Sequence, residues 1–125
     1  TSPEIIVDGA HNLQAMENLL NLVRKKKKGQ IYVLLGMMKD KDLGPVTKLF
    51  KDEKVTLTRI DYPRAARLED FPKEAQKEFE YKENFEEAYT SLKNKLQVDD
   101  MLLVTGSFYL VGAVLNYCKR GKDES

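Results

Sequence analysis

Ile5-Ile6-Val7-Asp8-Gly9-Ala10-His11-Asn12 runs three β-branched residues into polar, flexible and ionisable groups, and a long helical pattern follows at once. Such a stretch is a buried strand that ends in a loop and feeds a helix. In an α/β domain the carboxyl end of a parallel strand, followed by a helix N-terminus, holds ligands through exposed N–H groups and the positive end of the helix dipole. The polar cluster therefore sits where a site would be, and Pro3 brings the chain in from an extended segment.

Working outward, Leu13, Met16, Leu20 and Val23 recur at helical spacing, with Leu19 and Leu22 widening the apolar face. This predicts a helix from about Asn12, a suitable N-cap, to Lys27. Lys25, Lys26, Lys27 and Lys28 fall at its end, where they oppose the negative pole of the dipole, and Gly29 stops it. Without interleaved aromatic residues, this run reads as a solvated helix terminus rather than a nucleic-acid contact. Ile31-Tyr32-Val33-Leu34-Leu35 is continuous and apolar and ends at Gly36, as a strand buried on both faces does. Met37 to Asp42 is a charged loop, and a solvated connection and an ionic clamp above the sheet both stay open for it. Leu43, Val46, Thr47 and Phe50 mark a second helix, with Asp42 as its candidate cap.

Lys54 to Ile60 alternates, predicting a third strand with one wetter side or an edge position. Asp61-Tyr62-Pro63-Arg64 forms its exit loop, Ala65, Ala66 and Leu68 suit a helical turn, and Pro72 opens a short helix to about Lys77. Phe79-Glu80-Tyr81-Lys82 reads as a short peripheral strand. Asn84 begins a helix with Phe85, Ala88, Tyr89, Leu92 and Leu96 on its apolar face. After the Asp99-Asp100 turn, Met101-Leu102-Leu103-Val104-Thr105 is the most plainly buried late strand. It runs through Gly106-Ser107-Phe108-Tyr109 into a closing helix built on Leu110, Val111, Val114 and Leu115, which Gly121 stops. Strands and helices thus alternate, predicting an α/β fold with a mostly parallel sheet, helices on both faces and one short peripheral strand. If the first and last strands are central, Asp8, His11, Ser107 and Tyr109 rise at one rim.

Composition narrows the classes. A chain of 125 residues suits a single domain over 1–125 and is short for a two-domain catalytic body. Its net charge of +1 recruits no polyanion, so no nucleic-acid partner is expected. The single Cys118 rules out an intrachain disulfide or a multi-cysteine zinc site, which fits a reducing, cytoplasmic setting. No stretch reaches the roughly 18 apolar residues a membrane span needs, so no membrane partner is expected. The abrupt start in a strand is compatible with a domain cut from a longer polypeptide.

His11 is the only histidine, which excludes multi-histidine metal centres and leaves one proton-transfer, phosphate or metal contact; no residue is assigned as a metal ligand. An Asp8-His11-Ser107 triad lacks the Gly-x-Ser-x-Gly elbow of the hydrolases. The same residues also suit purely structural work, with Asp8 and Ser107 capping helices and His11 bonded to loop backbone. Neither a dinucleotide fingerprint nor a Gly-x-x-x-x-Gly-Lys-Ser/Thr phosphate loop occurs, so ATP chemistry would need another domain.

Val7-Asp8-Gly9-Ala10-His11-Asn12 resembles the opening of the C-terminal domain of folylpolyglutamate synthase and dihydrofolate synthase, members of the Mur-ligase superfamily. The resemblance continues in order at Leu34 to Asp42, at Tyr62-Pro63-Arg64-Ala65 and at Val104 to Gly112. It implies a Rossmann-like C-terminal domain of an ATP-dependent amide-forming ligase, whose absent N-terminal ATPase domain carries the phosphate loop and the groups that bind magnesium. The substrates implied are ATP, L-glutamate and a folate or dihydropteroate carboxylate, activated as an acyl phosphate. The isolated chain is then expected to be non-catalytic. By motif, Asp8 resembles the aspartate near the ribose, His11 the histidine near the phosphates and the incoming amino acid, and Ser107 the serine near glutamate. Asn12 fixes the loop, Lys39 and Lys41 are candidates for ligand charge or domain closure, and Tyr62 and Arg64 are candidates for an approach to adenine or another domain, with a purely structural loop the equal alternative. Another Mur-type amino-acid ligase is the alternative parent, and a stand-alone nucleotide-binding or protein-interaction module is the alternative without one.

Overall fold

Apolar runs separated by amphipathic segments become one parallel sheet between two helical layers. The computed structural model describes residues 3–10 and 12–124, with side chains through residue 120. Thr1 and His11 lie outside the described residues. The strands are β1 (Glu4–Val7), β2 (Ile31–Leu35), β3 (Lys54–Arg59), β4 (Glu80–Asn84) and β5 (Met101–Thr105). They stand in the order β1-β5-β2-β3-β4, and every neighbouring pair is parallel. The helices are α1 (Leu13–Lys26), α2 (Leu43–Leu49), α3 (Lys73–Glu78), α4 (Phe85–Lys95) and α5 (Phe108–Glu124), with a 3-10 turn over Leu68–Asp70.

Strand side chains alternate between the two faces, so each central strand feeds two cores. On one side Met101 and Leu103 of β5 and Ile31, Val33 and Leu35 of β2 meet α1, α2 and α3 through Met16, Leu20, Val46, Phe50 and Ala75. On the other, Leu102, Val104 and Leu34 meet α4 and α5 through Ala88, Leu92, Leu110 and Val114. A side chain as fully buried as Leu20 contributes about 1.5–3 kcal/mol by leaving water. The predominantly apolar β2 and β5 pair with each other at the middle of this sandwich.

Several expectations are corrected. β1 is an edge strand rather than a central one: β5, the more apolar run, lies between it and β2, and Ile5, Ile6 and Val7 stay only partly buried. β3 is interior, and Thr58 is reconciled with burial because its Oγ1 donates to the Lys82 carbonyl at 2.7 Å. Leu22 is 56% exposed, turned away from the core. Asp42 occupies the N-cap position of α2 without a side-chain cap bond. Ala65 and Ala66 precede any helical turn, because they are drawn to the loop after β2: Ala65 bridges Met38, and the Ala66 N–H donates to the Met37 carbonyl at 2.8 Å. α1 ends before Gly29, with extended backbone at Lys27, and α5 continues through Gly121 to Glu124.

The amino end of the sheet is locked by Asp100. Its two carboxylate oxygens accept the Gln97 and Gln30 N–H groups, each at 2.8 Å. Those two bonds, Gln97 first, hold the carboxyl below its ordinary pKa. Gly29 closes the same corner, since a β-carbon there would stand 2.5 Å from Asp100 Oδ1.

Candidate functional site

β5 stands at a topological switch. The strands beside it, β1 and β2, lead into α1 and α2 in one layer, whereas β5 leads into α5 in the other. Loops that part in this way open a crevice at the carboxyl ends of the strands, where ligands bind in open α/β sheets. The loops flanking that crevice are 8–12 and 106–109, the two polar clusters of the sequence.

Their geometry is tied strand to strand. The Asp8 N–H donates to the Val104 carbonyl at 3.0 Å, extending the β1–β5 ladder by one bond. Asp8 then turns the chain, its Oδ1 accepting the Ala10 N–H at 2.8 Å. The Ala10 carbonyl accepts twice from β5 and its exit, from the Gly106 N–H at 3.2 Å and from Thr105 Oγ1 at 3.3 Å. On its other flank the Thr105 carbonyl accepts the Gly36 N–H at 3.3 Å. Asn12 caps α1, its Oδ1 accepting the Ala15 N–H at 2.9 Å. Ser107 does the same for α5, accepting the Tyr109 N–H at 3.0 Å while only 2% exposed.

Two glycines permit these approaches. Gly106 has φ +114°, and a β-carbon there would meet the Gly36 carbonyl oxygen at 2.5 Å. At Gly9 a β-carbon would stand 2.5 Å from the Phe108 ring. Beside these loops lies an open cleft of about 520 Å³ lined by Asp8, Asn12, Leu19, Leu22 and Phe108.

The loop after β2 joins the same rim. Lys39 donates its N–H to the Arg64 carbonyl at 2.9 Å, and the Lys39 and Lys41 side chains are exposed. Tyr62, from the loop after β3, stacks on Tyr109 with ring centroids 4.1 Å apart. The Tyr109 hydroxyl donates to that of Tyr62 at 3.2 Å, and this bond pushes the Tyr109 phenol above its ordinary pKa by holding its proton. A second crevice of about 620 Å³ between the exits of β3 and β4 mixes Arg59 and Lys82 with Asp61, Glu83, Glu86 and Glu87.

The structure thus brings Asp8, Asn12 and Ser107 to one rim, with Lys39 and Lys41 on the adjoining loop; His11 lies outside the described residues. Among the described residues no group of three His, Cys, Asp or Glu side chains is placed to hold a metal ion, and no helix is long and apolar enough to cross a membrane. Sequence analysis missed Thr105, whose only signal was a hydroxyl at the end of an apolar run, immediately before a glycine. Tyr62 and Tyr109 were each singled out, but their stacking had no local signal, because they lie far apart in the chain.

Comparison with known proteins bears on what this rim holds. The family model for the Mur ligase, glutamate ligase domain, matches residues 1–108. The chain is 29% identical over 123 residues to a folylpolyglutamate synthase of Lacticaseibacillus casei, covering 98% of this chain and 28% of that protein. It is 28% identical over 120 residues to a dihydrofolate synthase/folylpolyglutamate synthase of Buchnera aphidicola subsp. Schizaphis graminum, covering 92% and 28%. The structure of E. coli FolC in complex with ADP, without folate substrate, superimposes with a TM-score of 0.87 at 26% identity, over 98% of this chain and 30% of that one. The chain therefore spans somewhat over a quarter of the length of these relatives.

Proposed function

Because this chain belongs to the Mur ligase, glutamate ligase domain family, we propose that it is the C-terminal domain of an ATP-dependent ligase joining L-glutamate to a folate or dihydropteroate carboxylate. The observation that carries this reading is the extent of the family match, which reaches from the first rim loop, 8–12, into the second, 106–109. The similar folylpolyglutamate and dihydrofolate synthases supply the choice of glutamate and pterin. An ATPase domain outside this chain is part of the proposal, since residues 1–125 contain no phosphate-binding loop.

The chemistry is an activation followed by an amide-forming step. The pterin carboxylate oxygen takes the terminal phosphoryl group of ATP, giving an acyl phosphate and ADP. The glutamate nitrogen then attacks the acyl carbon; the C–N bond forms, the C–O bond to phosphate breaks, and the amine loses its proton as phosphate leaves. Magnesium would neutralise phosphate charge, and the described residues of this chain offer no cage of their own for it. What this chain contributes is a rim that closes over the reactants, orienting them and excluding water from the acyl phosphate. Asp8, exposed at the crevice, is placed in the proposal at the ribose, with Asn12 holding its loop. His11 is assigned to the phosphates and the incoming amine. Ser107 uses its oxygen to cap α5, and its hydroxyl retains one hydrogen to offer a glutamate carboxylate. Lys39 and Lys41 are assigned to ligand charge or domain closure.

The test uses the full-length polypeptide with ATP, L-glutamate and a panel of dihydropteroate and reduced folates. Glutamate-dependent ADP release is expected, with ¹⁸O from the pterin carboxylate appearing in phosphate. His11→Ala should lower turnover about 100-fold while the protein stays folded. Turnover with another amino acid or acceptor, and none with glutamate and a pterin, would instead identify a different Mur-type ligase. No turnover on any pair would leave the chain as a binding module.

A further inference from the structure

We propose that Thr105 is a positioning residue for the ligation, the tie that holds the loop after β1 against the end of β5; this rests on the reading given under Proposed function. Three observations converge on it. Thr105 is fully buried at the end of β5, after four apolar residues, where an unbonded hydroxyl would cost about 1–3 kcal/mol. Its Oγ1 reaches across to the Ala10 carbonyl at 3.3 Å, and Ala10 is the residue directly before His11. Its own carbonyl accepts the Gly36 N–H at 3.3 Å, so the loop after β1 and the loop after β2 are referenced to one residue.

This arrangement differs from ordinary strand pairing. β1 is an edge strand, held on one side only, and its last ladder bond is that of the Asp8 N–H. Beyond that point the Ala10 carbonyl of the loop accepts from both the Gly106 N–H and the Thr105 hydroxyl. The Gly106 half of this tie is a backbone bond, beside the Gly36 carbonyl that a β-carbon at Gly106 would meet; the Thr105 half is the one that a side-chain change removes. Removing the hydroxyl leaves the Ala10 carbonyl with one of its two donors, so the loop can tilt about the Gly106 bond while β5 and its core stay in place. Displacement of a reacting group by about 1 Å costs on the order of 100-fold in rate, so a small movement of this loop falls on turnover rather than on binding of the pterin.

Thr105→Val keeps the shape and removes the hydroxyl, and Thr105→Ser keeps the hydroxyl. In the full-length enzyme Thr105→Val should lower kcat about 10-fold or more, with the KM for the pterin unchanged, and Thr105→Ser should restore most of the rate. Amide hydrogen exchange should quicken in residues 8–12 in the valine variant, remain at the native rate in the serine variant, and stay unchanged in β2 and β5 in both. Native kcat and native exchange in Thr105→Val overturn the proposal, as does equal loss in both variants or faster exchange across the whole sheet, which would mark a packing role. If the unsubstituted protein ligates nothing, the function reading fails and the positioning role in ligation with it, while the exchange pattern still decides whether the hydroxyl holds the loop.

Discussion

The two ends of the sheet use the same chemical device for opposite ends. At the amino end Asp100 receives two N–H donors, is 7% exposed, and lies against a glycine that leaves no room for a side chain. At the carboxyl end Asp8 receives the Ala10 N–H and is exposed beside an open cleft. A carboxylate folded into its own loop and buried is a fastening. A carboxylate that shapes its loop and remains in solvent contact is available to a ligand. The contrast separates the candidate site from a purely structural corner better than residue type does, since both corners pair an aspartate with a glycine.

Substitutions at three positions break or sharpen this contrast, from the largest expected loss to the smallest. Gly106→Ala puts a β-carbon against the Gly36 carbonyl oxygen at a positive φ of 114°, and denaturant unfolding should register a loss of about 3 kcal/mol. A loss under about 1 kcal/mol would mean that the ligand rim is softer than the sheet beneath it.

Asp100→Asn comes next, because an amide nitrogen would then face one of the two backbone N–H groups. The deficit also depends on pH. The folded pKa of Asp100 is lowered from 3.8, so its contribution is fully present above that unfolded value and is lost as pH falls through the lower, folded one. The stability gap between native and Asp100→Asn proteins should be open at pH 7 and narrow below pH 3.8; a gap constant with pH would remove Asp100 from the role of fastening. Asn12→Ala removes the cap of α1 and should cost about 1 kcal/mol. Asn12→Asp retains the cap, so ligation that stays low in Asn12→Asp while stability returns would assign the side chain to the ligand as well as to the helix.

Much of the fold was legible because burial on two faces demands unbroken apolar runs. Ile31–Leu35 and Met101–Thr105 were recognisable for that reason, and Asn12 and Asn84 as caps because their side chains suit no helix interior and serve the first turn. Strand order was less legible. β1 is as β-branched as a central strand, and only the competition with the more apolar β5 places it at the edge. Thr56 and Thr58 suggested a wet face for β3, whereas β4 covers that strand and the Lys82 carbonyl takes the Thr58 hydroxyl. For the site, the polar strand ends were visible as local motifs. The bonds that couple them were not, because Thr105 and Ala10, or Tyr62 and Tyr109, meet only after the sheet has formed.

The pairing of β1 with β5 has a consequence for how the molecule is made. Glu4 registers with Met101 and Val7 with Val104, so the first strand of this sheet waits for its last. Closing so long a loop is entropically slow, and contacts of this separation delay folding more than they weaken the native state. β2 and β3, adjacent in sequence and in the sheet, can pair while the rest of the chain is still emerging. The candidate rim, whose loops hang from the two most distant strands, is then the part of the domain that a ribosome completes last.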